Sequence, residues 1–221
     1  MAMRLAAALL GLVPFGLWGQ APAVGSNTPS NNTPCNNTPA YSPCELVFEL
    51  SDADAARSPD PYKTVELRVE FRSPRHHTYA MPGYWDGGRR MVVRFAPTEG
   101  GGWDYRLASN VAAWEGKTGS FTAAASESPG FIRAANMHHW AHTEKNAAGL
   151  DQAHLWMGAT EMRFAFLDEP SFRAIADARA AQKFNHLRGL LVGTGPEAAF
   201  QSADSPNLAQ FKRLDERVRY L

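Results

Sequence analysis

Four aromatic side chains, Tyr84, Trp85, Trp103 and Trp114, fall in a stretch punctuated by glycine turns. Flat rings stack against sugar faces, and they also fill protein cores. Trp103 sits in the apolar phase of an alternating segment and reads as core. Trp85, beside the turn at 86–88, is open to either use, and as a sugar platform it is a candidate substrate-binding residue. His138, His139 and His142 raise metal binding, since two histidines four apart share a helix face. No Glu follows in an H-E-x-x-H arrangement, and Trp140, Asn146 and Gly149 favour a hairpin, so neither a metal site nor a cofactor is expected. Thr160 and Glu161 interrupt an apolar run, AHLWMGATEMRFAF at 153–166, typical of a buried parallel strand. A polar pair at the exit of such a strand is a candidate for substrate contact, or else caps the loop. Cys35 and Cys44, the only cysteines, either close a short disulfide loop or remain two thiols.

These residues need elements to hold them, and the composition permits one full core and part of a second. The 221 residues are 44% hydrophobic and 11% aromatic, and 22 basic residues balance 22 acidic ones. A sequence pI of about 7.1 provides no basic surface for nucleic acid or an anionic membrane. Residues 1–23 have the form of a signal peptide, with Arg4, an apolar stretch from Leu5 to Trp18, and small residues around Ala21 and Ala23. Pro14 and the short apolar length disfavour an uncleaved anchor, so the mature protein is expected to be secreted or periplasmic, with no membrane contact. Residues 24–43 form an Asn/Thr/Pro-rich linker in which NTP recurs at 27, 32 and 37, a composition that predicts a solvated tether.

From residue 44 the period is two. Val65, Leu67, Val69 and Phe71 alternate with Glu66, Arg68, Glu70 and Arg72, and glycine turns separate further short strands to about residue 126. Such strands, with no helix expected between them, predict an immunoglobulin-like β-sandwich over 44–126, without a disulfide between its sheets. A connecting hairpin is expected over 127–153. From 154 the order becomes strand, helix, strand, helix. Phe172, Ile175, Ala176 and Ala180 mark the first helix, FNHLRGLLV at 184–192 the second strand, and Leu208, Phe211, Leu214 and Val218 the second helix. Two apolar strands joined by a helix predict a right-handed parallel unit. A (β/α)8 barrel takes about 250 residues, so residues 154–221 are expected to be the start of a truncated one.

The layout resembles secreted bacterial proteins in which an immunoglobulin-like domain of unknown function precedes an apiosidase-like (β/α)8 glycoside hydrolase domain. The matching stretches are YWDGGRRMVVRFAPTEGGGWDYRLASN at 84–110, HLWMGATEMRF at 154–164 and FNHLRGLLV. FNHLR is also similar to the second-strand pattern G-F-N-x-hydrophobic-R of barrel-fold retaining glycosidases, with Lys183 in place of the Gly. Ala159 stands where relatives often carry Asp. The resemblance implies that Arg188 has a supporting catalytic role, steadying a nucleophilic carboxylate, which a guanidinium does through two charge-assisted hydrogen bonds. It further implies a poly- or oligosaccharide substrate. The two carboxyl groups that retaining hydrolysis requires are then expected on later strands, beyond residue 221, leaving this chain inactive by itself. The alternative is a non-catalytic carbohydrate-binding or structural sandwich module.

Overall fold

The computed structural model describes residues 35–193, 195 and 198–221; the expected signal peptide and residues 24–34 of the linker lie outside the described residues. Two antiparallel sheets form a β-sandwich. One comprises β1 (Cys44–Glu49), β4 (Tyr84–Trp85) and β5 (Arg90–Phe95), in the order β1-β5-β4. The other comprises β2 (Leu67–Arg72), β3 (Thr78–Pro82), β6 (Gly101–Ser109) and β7 (Thr118–Ala123), in the order β3-β2-β6-β7. Alternation sends Leu67, Val69 and Phe71 of β2 inward, and their charged neighbours outward. Phe71 stacks on Phe95 of the opposite sheet at 4.0 Å between ring centroids. Trp103 meets Phe95 edge-on at 5.1 Å and lies parallel to Phe121 at 6.2 Å. Its indole N–H donates to the Glu99 carbonyl at 3.0 Å, so this fully buried ring leaves no polar atom unpaired.

Three details differ from the sequence reading. Two short helices, α1 (Asp52–Arg57) and α2 (Pro61–Thr64), occupy the space between β1 and β2. Ser51 caps α1 by accepting the Asp54 N–H, and Pro61 opens α2, where its missing N–H costs nothing. Val65 therefore ends a helix, and the strand begins at Leu67. The linker also stops being a tether at Cys35. A disulfide joins Cys35 to Cys44, Asn37 N–H donates to the Thr122 carbonyl at 2.8 Å, and Ala40 N–H to Ala124 at 2.9 Å. Residues 35–43 are thus pinned along the end of β7, an edge strand with groups free to pair.

Beyond the sandwich, β8 (Ile132–Ala134), β9 (Trp140–Lys145) and β10 (Asp151–His154) form a three-stranded antiparallel sheet in the order β10-β9-β8, one strand more than the expected hairpin. Then β11 (Gly158–Thr160) pairs in parallel with β12 (His186–Arg188), and α3 (Glu169–Ala181) connects them. Residues 153–166 are therefore not one strand. Asn185 explains the break: its side chain accepts the Met157 N–H at 2.9 Å and donates to the Leu155 carbonyl at 2.7 Å, in place of ladder bonds. The second strand also ends early, at Arg188, because Gly189 passes so close to Phe164 that a Cβ there would lie 2.2 Å from its ring. Asp168 caps α3 by accepting the Ser171 N–H, with Pro170 in the first turn. A small hairpin of β13 (Phe200–Ser202) and β14 (Ser205–Pro206) precedes α4 (Leu208–Tyr220). Phe164, Phe172 and Ala176, with Leu167 and Leu214, form a second, smaller core between the helices. No helix among the described residues is long and apolar enough to cross a membrane.

Candidate functional site

The parallel pair gathers three of the predicted site residues at one strand end. Thr160 is the register partner of Arg188, and Glu161 N–H donates to the Arg188 carbonyl at 2.8 Å. Alternation puts His186 on the same face as Arg188 and Leu187 on the other. Arg188 is exposed and makes no ion pair among the described residues, so its guanidinium fork is open to an incoming carboxylate. Glu161 is already engaged: Oε1 accepts from Nε of Arg179 at 3.0 Å and from Nη2 at 2.6 Å, which ties the strand exit to α3. Thr160 and Arg188 line a shallow cleft of about 890 Å³ with Trp156 and His186.

At the opposite, amino-terminal end of the same strands lies a chain of three imidazoles that sequence spacing does not reveal. Nδ1 of His142 is 3.2 Å from the Gly130 carbonyl, Nε2 of His142 is 3.1 Å from Nδ1 of His154, and Nε2 of His154 is 2.8 Å from Nε2 of His186. A carbonyl only accepts, so His142 carries its proton on Nδ1, and its Nε2 must accept from His154. His154 Nε2 then accepts from His186. Every tautomer in the neutral chain is therefore fixed by the carbonyl at its inner end. Trp156 stacks on His186 at 3.7 Å, clamping the chain's outer end. The His154 pKa is held below the ordinary histidine value, first by burial and then by the two flanking imidazoles. The unfolded chain therefore binds this proton more readily than the fold does. The contribution of His154 to stability is complete above about pH 6.5 and is lost as pH falls from there toward the lower folded value. Thermal melts from pH 7.5 to 5 are expected to show a drop that His154→Gln reduces; equal drops in both proteins would refute this.

Trp85 lies elsewhere, where the sandwich meets α4. It is half-buried, its indole N–H donates to the Gly88 carbonyl at 2.9 Å, and its ring sits 6.0 Å from that of Tyr62. Arg94 of β5 fastens this joint. Its guanidinium donates to both carboxylate oxygens of Asp215 on α4, at 3.0 and 2.6 Å, and to Glu45 Oε1 at 2.9 and 2.7 Å. Bidentate hydrogen bonding from Arg94 holds the Asp215 carboxyl below its usual range. Tyr84 lies under the guanidinium, and burial pushes its hydroxyl up to about 12. The β13–β14 hairpin adds Lys63–Asp204 at 3.1 Å and a hydrogen bond from the Tyr62 hydroxyl to the Ala203 carbonyl at 3.3 Å. Sequence reading misses Arg94 and Asp215 because each lies in the polar phase of its element, where a lone charge is indistinguishable from a solvated one.

His138 and His139 remain on the surface turn before β9, with His139 Nδ1 3.0 Å from the Asn136 side-chain oxygen. Among the described residues, no group of three His, Cys, Asp or Glu side chains is placed to hold a metal.

A family described as a domain of unknown function (DUF5060) matches residues 37–110, which take in β1 to β6 of the sandwich and leave out β7. No curated protein matches the chain. Among solved structures, a candidate glycoside hydrolase from Bacteroides vulgatus ATCC 8482 aligns with a TM-score of 0.68 at 18% identity. The alignment covers 83% of this chain and 39% of the Bacteroides one, so this chain spans well under half the length of that relative. The likeness establishes a shared fold: the β-sandwich and the α/β segment that follows it.

Proposed function

We propose that this chain is the amino-terminal portion of a secreted, apiosidase-like glycoside hydrolase acting on complex polysaccharide. In this reading β11, α3, β12 and α4 open a (β/α)8 barrel, and two carboxylates on later strands, beyond residue 221, perform the chemistry. Arg188 holds the nucleophilic carboxylate ionised and correctly turned, while Thr160 and Glu161 border the substrate at the strand exit. The observation that carries this reading is the parallel register of β11 and β12, which sets Thr160 beside Arg188, unpaired among the described residues, at the carboxyl end of the strands, where barrel enzymes keep their catalytic groups. The resemblance of the 84–110 and 184–192 motifs, and the glycoside hydrolase description of the Bacteroides relative, support a carbohydrate substrate. The signal-like composition of residues 1–23 supports export. The bidentate Arg94–Asp215 contact favours a sandwich that is a fixed support for the barrel over one that swings freely as a separate binding module.

The test is reducing-sugar release from a panel of plant polysaccharides by the full protein encoded at this locus. Arg188→Ala is expected to lower kcat on the order of 10²-fold with little change in KM, as for loss of a single preorganised electrostatic contact. Absence of release from every polysaccharide, or an unchanged kcat in the variant, would overturn the reading.

A further inference from the structure

The joint between sandwich and α4 encloses a cleft of about 460 Å³, too large for a packing void and within the range of ligand sites, which favour domain interfaces. Its two walls come from different parts of the fold, and each presents an aromatic pair. Tyr62 and Trp85 belong to the sandwich, with ring centroids 6.0 Å apart; Phe200 of the hairpin and Phe211 of α4 lie 5.4 Å apart, edge to face. The indole N–H of Trp85 and the hydroxyl of Tyr62 are already bonded to carbonyls, so both side chains offer ring surface. The charged side chains that line the cleft balance, Asp86 and Asp215 against Arg94 and Lys212, and Asp215 is bonded to Arg94 and Asp86 to the neighbouring Arg90 at 3.0 Å, so the site favours no net charge. Such carboxylate and guanidinium groups still accept and donate hydrogen bonds at their free edges.

Apolar ring faces on two sides and a charge-balanced polar rim suit a ligand with flat C–H faces and a hydroxyl edge. We propose that this cleft is a saccharide-binding subsite, separate from the strand-end site, in which a neutral sugar ring is held between Trp85 and Phe211. The choice of sugar as ligand rests on the glycosidase reading; the cleft does not. Its position also fits a long substrate. Leu208 and Phe211 near the start of α4 line this cleft, and Val218 and Leu221 at the other end of the helix line the strand-end cleft, so the two lie along one helix. A polysaccharide crossing Thr160 and Arg188 would continue toward the sandwich.

The experiment is isothermal titration of this chain with xylo-, arabino-, galacto- and cello-hexaose, accompanied by tryptophan fluorescence. Binding of at least one of them is expected, with Trp85→Ala and Phe211→Ala each weakening it about tenfold. Because Trp85 also touches the sandwich core, Phe211→Ala, with an unchanged sandwich melting transition, decides the matter if Trp85→Ala fails to fold. No heat with any of the four at millimolar ligand, or binding unaffected by Phe211→Ala, would overturn the subsite. Binding by a protein that cleaves no polysaccharide would sink the glycosidase reading and leave the subsite standing. Cleavage with binding indifferent to Phe211 would do the reverse.

Discussion

Trp103→Ala is expected to destabilise the sandwich by roughly 3–5 kcal/mol, the range for truncating a large buried aromatic. The ring is wholly inaccessible and packs between Phe95 and Phe121, with Tyr79 at 5.8 Å. Its removal leaves a cavity that three other rings line, and rings held on two sheets close only partly over such a gap. The substitution also strips the Glu99 carbonyl of its indole partner. Against a typical total of about 5–15 kcal/mol, a loss of this size leaves the sandwich close to unfolding at 37 °C. Urea denaturation followed by near-ultraviolet circular dichroism measures it. Trp103→Phe, which keeps the ring packing and loses only the N–H bond, is expected to fall between wild type and Ala. A midpoint in Trp103→Ala within error of wild type would show that the ring does not organise this core.

Arg217→Met is expected to cost roughly 2–4 kcal/mol in the α/β segment. Arg217 is 1% exposed and lies within the small helical core, its guanidinium 4.8 Å above the ring of Phe172. It donates to the backbone carbonyls of Phe164 and Leu167, and Glu169 stands 3.8 Å away. These two carbonyls belong to the turn that leads from β11 into α3, so the side chain fastens α4 to that turn. Methionine keeps most of the volume and removes the cost of burying a charge, but leaves two acceptors without donors, at about 1–3 kcal/mol each. Arg217→Lys retains the charge without the planar fork and is expected to recover little. Chemical denaturation with a probe in α4 reads the change. Equal stability of Met and wild type would mean that water replaces the guanidinium without loss.

The alternation over 65–72 and the glycine turns at 86–88 and 99–102 were sufficient to read the sandwich, because a half-buried strand must alternate. Both long helices were legible for the same reason, at a period of 3.6. What periodicity does not encode is competition from side chains. Asn185 takes ladder positions from two backbone groups, and Gly189 yields its space to Phe164, so two apolar runs of strand length become strands of three residues. The joint around Arg94 and Asp215 was invisible because its partners are 121 residues apart. The histidine chain was half visible: His142 stood out among its neighbours in sequence, while its actual partners, His154 and His186, come from other strands. Trp103 followed the phase of its strand into the core, whereas Trp85 sits at a contact between distant segments, which phase does not describe.

The disulfide at the end of the linker has a mechanical consequence. A pull on the chain ahead of Cys35 passes through the sulfur bridge straight to Cys44, the first residue of β1, and bypasses the eight residues between. Those residues bear no load and add nothing to the leash. A reducing environment would return those eight residues to the load path by letting the loop peel from β7.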